Sequence, residues 1–101
     1  MKRTINSFHD GRSGSAITLV LKYNAKTTKV TKIEKDGTVN VDLVNAMPGE
    51  SADKELMQFL AKILNVSSKN LDVLAGSEEK KLISIMDVSP DEVDQALNGL
   101  L

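Results

Sequence analysis

Between residues 16 and 23 every second side chain is large and apolar: Ile17, Leu19, Leu21 and Tyr23, with Thr18, Val20 and Lys22 between them. A period of two turns all four to one face of an extended strand, whereas on a helix they would be scattered around the axis. One face of a sheet must therefore be covered. A further run, residues 30–35, leads into another over 38–44, where Val39, Val41 and Leu43 alternate with Asn40 and Asp42. Asp36-Gly37 between these two runs predicts a hairpin with a type I′ turn.

The period then changes. Leu56, Met57, Phe59, Leu60, Ile63 and Leu64 recur at helical spacing, a stripe suited to lying on a sheet. The helix is expected over residues 52–64, with Ser51 as N-cap and Asp53 near its positive end. Asn65 tolerates the left-handed conformation that ends helices, with Val66 folding back behind it. Two further strands, 71–75 and 82–86, flank Gly76-Ser77-Glu78-Glu79-Lys80-Lys81, which predicts a second hairpin. Ser89-Pro90-Asp91-Glu92 is a capping box with proline at the first helical position, and Val93, Ala96, Leu97, Leu100 and Leu101 follow at helical spacing. Residues 1–15 show no sustained apolar period and are expected to form a flexible leader. The single domain is expected over 16–101.

A chain of 101 residues supports one hydrophobic core. It has no cysteine, which excludes disulfides, thiolate metal sites and a cysteine nucleophile. Three aromatic side chains, Phe8, Tyr23 and Phe59, leave little from which to build the stacking platforms of single-stranded nucleic-acid modules. No apolar run is long enough to span a bilayer, so a soluble, cytoplasmic protein without membrane association is expected, as a monomer. Charge is divided unevenly. Residues 1–36 carry eight basic side chains against three acidic ones, and the remainder carries five lysines against eleven acids.

Catalytic motifs are not found. The sole histidine, His9, falls in the leader and is expected to be solvated. Residues 49–54 lack the second glycine of a phosphate-binding loop, and the stretch around Gly37 places Lys32 and Leu43 where a calcium loop needs ligands. Neither a catalytic residue, a metal site nor a cofactor is expected. What survives is the loop entering the first helix: Pro48, Gly49, Ser51, Ala52 and Asp53, whose open amides attract an anion, with Lys80 and Lys81 close by. Glu50, Asp53, Glu78 and Glu79 oppose that attraction. A second basic group, Lys22, Lys26, Lys29, Lys32 and Lys35, suits weak, sequence-independent contact with nucleic acid, or simply guards a sheet edge against aggregation. Alternation along a strand turns neighbours to opposite faces, so these five make one patch only if the connection over residues 24–28 is irregular.

From Ala16 onward the chain resembles the YggU-like family of small uncharacterised proteins. The likeness is carried by Val39-Asn40-Val41 before a proline loop, Ala52-Asp53, Phe59-Leu60-Ala61-Lys62, Asn65-Val66-Ser67-Ser68, Leu71-Asp72-Val73, Gly76 and Lys80-Lys81. It implies a two-layer α+β fold in the order ββαββα, with a mixed four-stranded sheet and two helices on one face. Where that family shows Gly-Lys-Ala-Asn at the helix start, this chain has Glu50-Ser51-Ala52-Asp53. The expected function is a non-catalytic binding or adaptor domain with a protein partner, ahead of weak nucleic-acid binding and of an enzyme acting on a small anion.

Overall fold

The computed structural model describes residues 14–100 and the backbone of Asn6 and Ser7. The expected leader, His9 included, falls mostly outside the described residues. Strand β1 (Asn6–Ser7) pairs antiparallel with the start of β2 (Gly14–Lys22). Strands β3 (Lys29–Ile33) and β4 (Val39–Asp42) form the first hairpin, and β5 (Leu71–Gly76) and β6 (Lys80–Met86) the second. Helix α1 (Glu50–Leu64) and a 3₁₀ turn (Ser68–Asn70) lie between the hairpins, and α2 (Pro90–Asn98) follows β6.

The fold is α+β with a mixed sheet, and five strands run in the order β3-β4-β2-β6-β5. This corrects the expectation of four strands in the order ββαββα: three longer strands, β2, β3 and β4, precede α1. Each hairpin lays its second strand against β2. Strand β4 pairs with it in parallel, Leu19 opposite Val39 and Leu21 opposite Val41, while β6 pairs antiparallel, Ile17 opposite Ile83.

Alternation decides the layers. Ile17, Leu19, Leu21, Val39, Val41, Ile83 and Ile85 are buried on one face, in a single cluster with Ala52, Leu56 and Leu60 of α1 and Val93 and Leu97 of α2. Fully burying side chains of this kind contributes about 1.5–3 kcal/mol each. The two helices also touch each other. The strand begins earlier than the apolar period shows, at Gly14, and Ser15 is buried with its hydroxyl donating to the Val88 carbonyl at 2.7 Å. No helix among the described residues is long and apolar enough to cross a membrane.

Local details depart from the sequence expectations in four places. Helix α1 opens at Glu50 with Gly49, not Ser51, as its N-cap, because the first helical bond runs from the Asp53 amide to the Gly49 carbonyl at 3.0 Å. Gly49 sits at φ 151°, where a side chain would be strained. The first hairpin turns through three residues. Gly37 donates to the Glu34 carbonyl and has φ 96°, while Asp36 is not at positive φ, so the turn is type I followed by a glycine bulge and not type I′. The second loop is only Ser77, Glu78 and Glu79, since Gly76, Lys80 and Lys81 join the ladder. Helix α2 stops at Asn98, and Leu100, expected on its apolar stripe, is exposed.

Other elements match. Asn65 is left-handed and Val66 donates to Ala61 at 3.0 Å, closing the helix as a Schellman motif. The capping box is complete: Glu92 donates its amide to the Ser89 hydroxyl at 3.2 Å, and the Ser89 amide donates to the Glu92 carboxylate at 3.3 Å.

Candidate functional site

The loop before α1, the end of β2 and the tip of the second hairpin meet at one end of the sheet, because β2 and β4 run parallel toward it and β6 begins there. Glu55, one turn into α1, organises the loop. Its carboxylate accepts the amides of Val44 at 2.7 Å and Asn45 at 3.0 Å, the Asn45 side-chain amide at 2.6 Å and the Thr28 hydroxyl. Partial burial pushes this carboxyl up, but the donors from Thr28, Asn45 and Val44 together outweigh it and hold Glu55 down at about 2. Met47 is left 70% exposed on the loop so held.

Of the residues expected to bind an anion, the structure joins some and parts others. Asp53 and Lys81 are brought together at 3.7 Å, and Lys81 also donates to the Ser77 carbonyl at 3.1 Å. Its side chain is only 14% exposed. Lys81 thus fastens the hairpin to the helix, and Asp53 takes part of its charge. Lys80 pairs with Val20 and Lys81 with Leu19, so the two lysines point to opposite faces of the sheet. Ala52 is buried in the core, Pro48 is half-buried, and Gly49 and Ser51 are exposed. Tyr23, on the same end, donates its hydroxyl to the Glu78 carbonyl. Burial first, and then the charges of Asp53, Glu78 and Glu79, push that hydroxyl up. The local field is negative.

The second basic group is better assembled. Lys22 and Lys29 both lie beside Asp42 in register, and Lys32 lies beside Asn40. A bulge between Val30 and Lys32 inserts Thr31, so that Lys29 and Lys32, odd and even, share the face that β2 turns away from the helices. Lys80 joins them there. The irregularity that strand alternation requires is therefore inside β3. Among the described residues no helix covers this face, and Val20, Leu82 and Met86 are half-buried along it. Glu34 binds Lys32 at 3.5 Å and the Asn40 side-chain amide at 2.9 Å. Lys26 and Lys35 are exposed in loops, outside the strands.

No protein-family model matches this chain.

The face mixes Lys22, Lys29, Lys32 and Lys80 with Asp42, Asp72 and the Glu34 bound to Lys32, which leaves it a small positive excess over a half-apolar surface. Among the described residues no group of three histidine, cysteine or acidic side chains is placed to hold a metal ion. Sequence reasoning overlooked Glu55 and Lys80's separation from Lys81. For Glu55 the signal was thin, an acid on the polar side of an amphipathic helix. For Lys80 it was present, since adjacent residues of any strand face opposite ways.

Proposed function

We propose that this chain is a non-catalytic binding domain in the cytoplasm, presenting the uncovered face of its sheet to a protein partner. The supporting observation is that Lys22, Lys29, Lys32 and Lys80 share that face with half-buried Val20, Leu82 and Met86. Apolar ground among cations suits an acidic protein surface, where burial supplies affinity and the charges set orientation and encounter rate. The YggU-like likeness belongs to the same proposal and lends it no activity. Affinity capture followed by mass spectrometry, with wild-type bait beside a Lys22→Glu/Lys80→Glu double variant, tests it. A partner retained by the wild type and lost by the variant is expected. An identical set of captured proteins counts against it.

A second reading, nucleic-acid binding, draws on the bulge that sets Lys29 beside Lys32. Lysines release counterions without reading bases, so the binding would be weak and sequence-blind. Titration of a mixed-sequence single strand at several salt concentrations distinguishes the two readings. Four phosphate contacts give a slope of log affinity on log salt of about −3.

A further inference from the structure

Strand β3 is an edge: among the described residues it pairs only with β4, so its other side offers unpaired backbone N–H and C=O groups. Where that edge begins, at Thr28, Lys29 and Val30, two adjoining hollows of about 530 and 220 Å³ lie against α1 and share Thr28 and Phe59 in their walls. Val30, Phe59 and Leu100 give the groove an apolar floor, and Leu100 is 47% exposed. Lys29, Lys54 and Lys62 stand around it. The one carboxylate in its walls, Glu55, is already occupied by Thr28, Val44 and Asn45. Lys54 makes only an exposed contact with Glu50 at 3.8 Å, and such pairs hold weakly.

We propose that this edge and groove take up an extended, acidic peptide segment of a partner protein by strand addition to β3. The free edge supplies the backbone bonds, and the floor takes every second side chain of the added strand. The three lysines select for acid. A second copy of the chain is the wrong occupant, since pairing β3 with itself brings lysine-bearing strands together, and like charges across a ladder destabilise it. Lys29 borders both this groove and the open sheet face, and the variants below leave it untouched, so that the two proposals fail independently.

The test is an NMR titration of the ¹⁵N-labelled full chain with a blocked ten-residue peptide alternating glutamate with valine and leucine, beside the same peptide carrying lysine for glutamate. Expected are shifts confined to β3, the Phe59 turn of α1 and Leu100, slowed hydrogen exchange in β3, and at least tenfold tighter binding of the glutamate peptide. Lys54→Glu/Lys62→Glu and Leu100→Asp should each weaken it about tenfold with melting unchanged, since these side chains are exposed. Lys22→Glu/Lys80→Glu should leave it as it was. The proposal is overturned by equal affinity for the two peptides, by no shift at millimolar peptide, by shifts centred on the open sheet face, or by a single-stranded oligonucleotide binding the groove more tightly than the glutamate peptide.

Discussion

Glu55 Oε1 accepts twice from Asn45, from its backbone amide at 3.0 Å and from its side-chain amide at 2.6 Å. One helical carboxylate thereby fixes the chain where it leaves β4, while its second oxygen takes Val44 and Thr28. Two segments, one at Thr28 and one at Val44 and Asn45, are tied to a single helical side chain.

Glu55→Gln should cost about 1.5–3 kcal/mol, the range for hydrogen bonds to a charged group, because the new NH₂ faces donors in place of an acceptor. Urea denaturation measures the loss. Hydrogen exchange at Val44 and Asn45 should quicken by a larger factor than in the core strands. A variant as stable as the wild type would show that the loop holds without the carboxylate.

The same carboxylate sets an acid dependence. Its value is lowered from 4.5 to about 2 in the folded chain. A depressed carboxyl stabilises the fold fully above its unfolded value, and the contribution is lost as pH falls through the folded one. Wild-type stability should therefore decline from about pH 4.5 toward pH 2 more steeply than that of Glu55→Gln. Parallel pH profiles for the two proteins would refute this.

Gly76 has φ 134°, and a Cβ built on it would stand 2.3 Å from the Lys80 carbonyl oxygen. Gly76→Ala should destabilise by about 2–3 kcal/mol, from the strained backbone together with the forced opening of the hairpin. Thermal melting reads this directly. Gly49→Ala meets no atom within 4 Å and carries the backbone strain alone, so it should cost less.

Ser89→Ala removes one half of the capping box and should cost about 1 kcal/mol. Glu92→Ala, which removes the reciprocal bond, should cost less than that, and the double variant should cost less than the two singles added, since each bond helps to place the other. Chemical denaturation of the four proteins settles the cycle.

What could be read from the sequence was what neighbours in the chain decide. Ile17, Leu19 and Leu21 announce their strand by alternation, and Asn65-Val66 and Ser89-Glu92 close and open helices through bonds a few residues long. The parallel pairing of β2 with β4 depends on partners brought from elsewhere and no local pattern encodes it, while the bulge at Thr31 shows locally only as the three-residue spacing of Val30 and Ile33. The basic face was half legible. Its members stood out by charge, but that Lys29 and Lys32 share a side was decided by the bulge, and Lys80 was hidden inside an expected turn. The groove beside β3 was not legible, because Phe59 and Leu100 meet only after α1 and α2 have both packed.

The placing of β2 between β4 and β6 has a bearing on synthesis. A ribosome delivers β2 well before the strand that covers its long side, from Gly14 opposite Met86 to Val20 opposite Lys80. Until then the longest of the described strands has a bare edge. The first hairpin pairs with only the last four residues of β2, Leu19 to Lys22, and leaves the earlier part of that strand's long side open. The sheet closes only once β6 has been made, and a chain stalled before Lys80 is the form on which a chaperone would have to act.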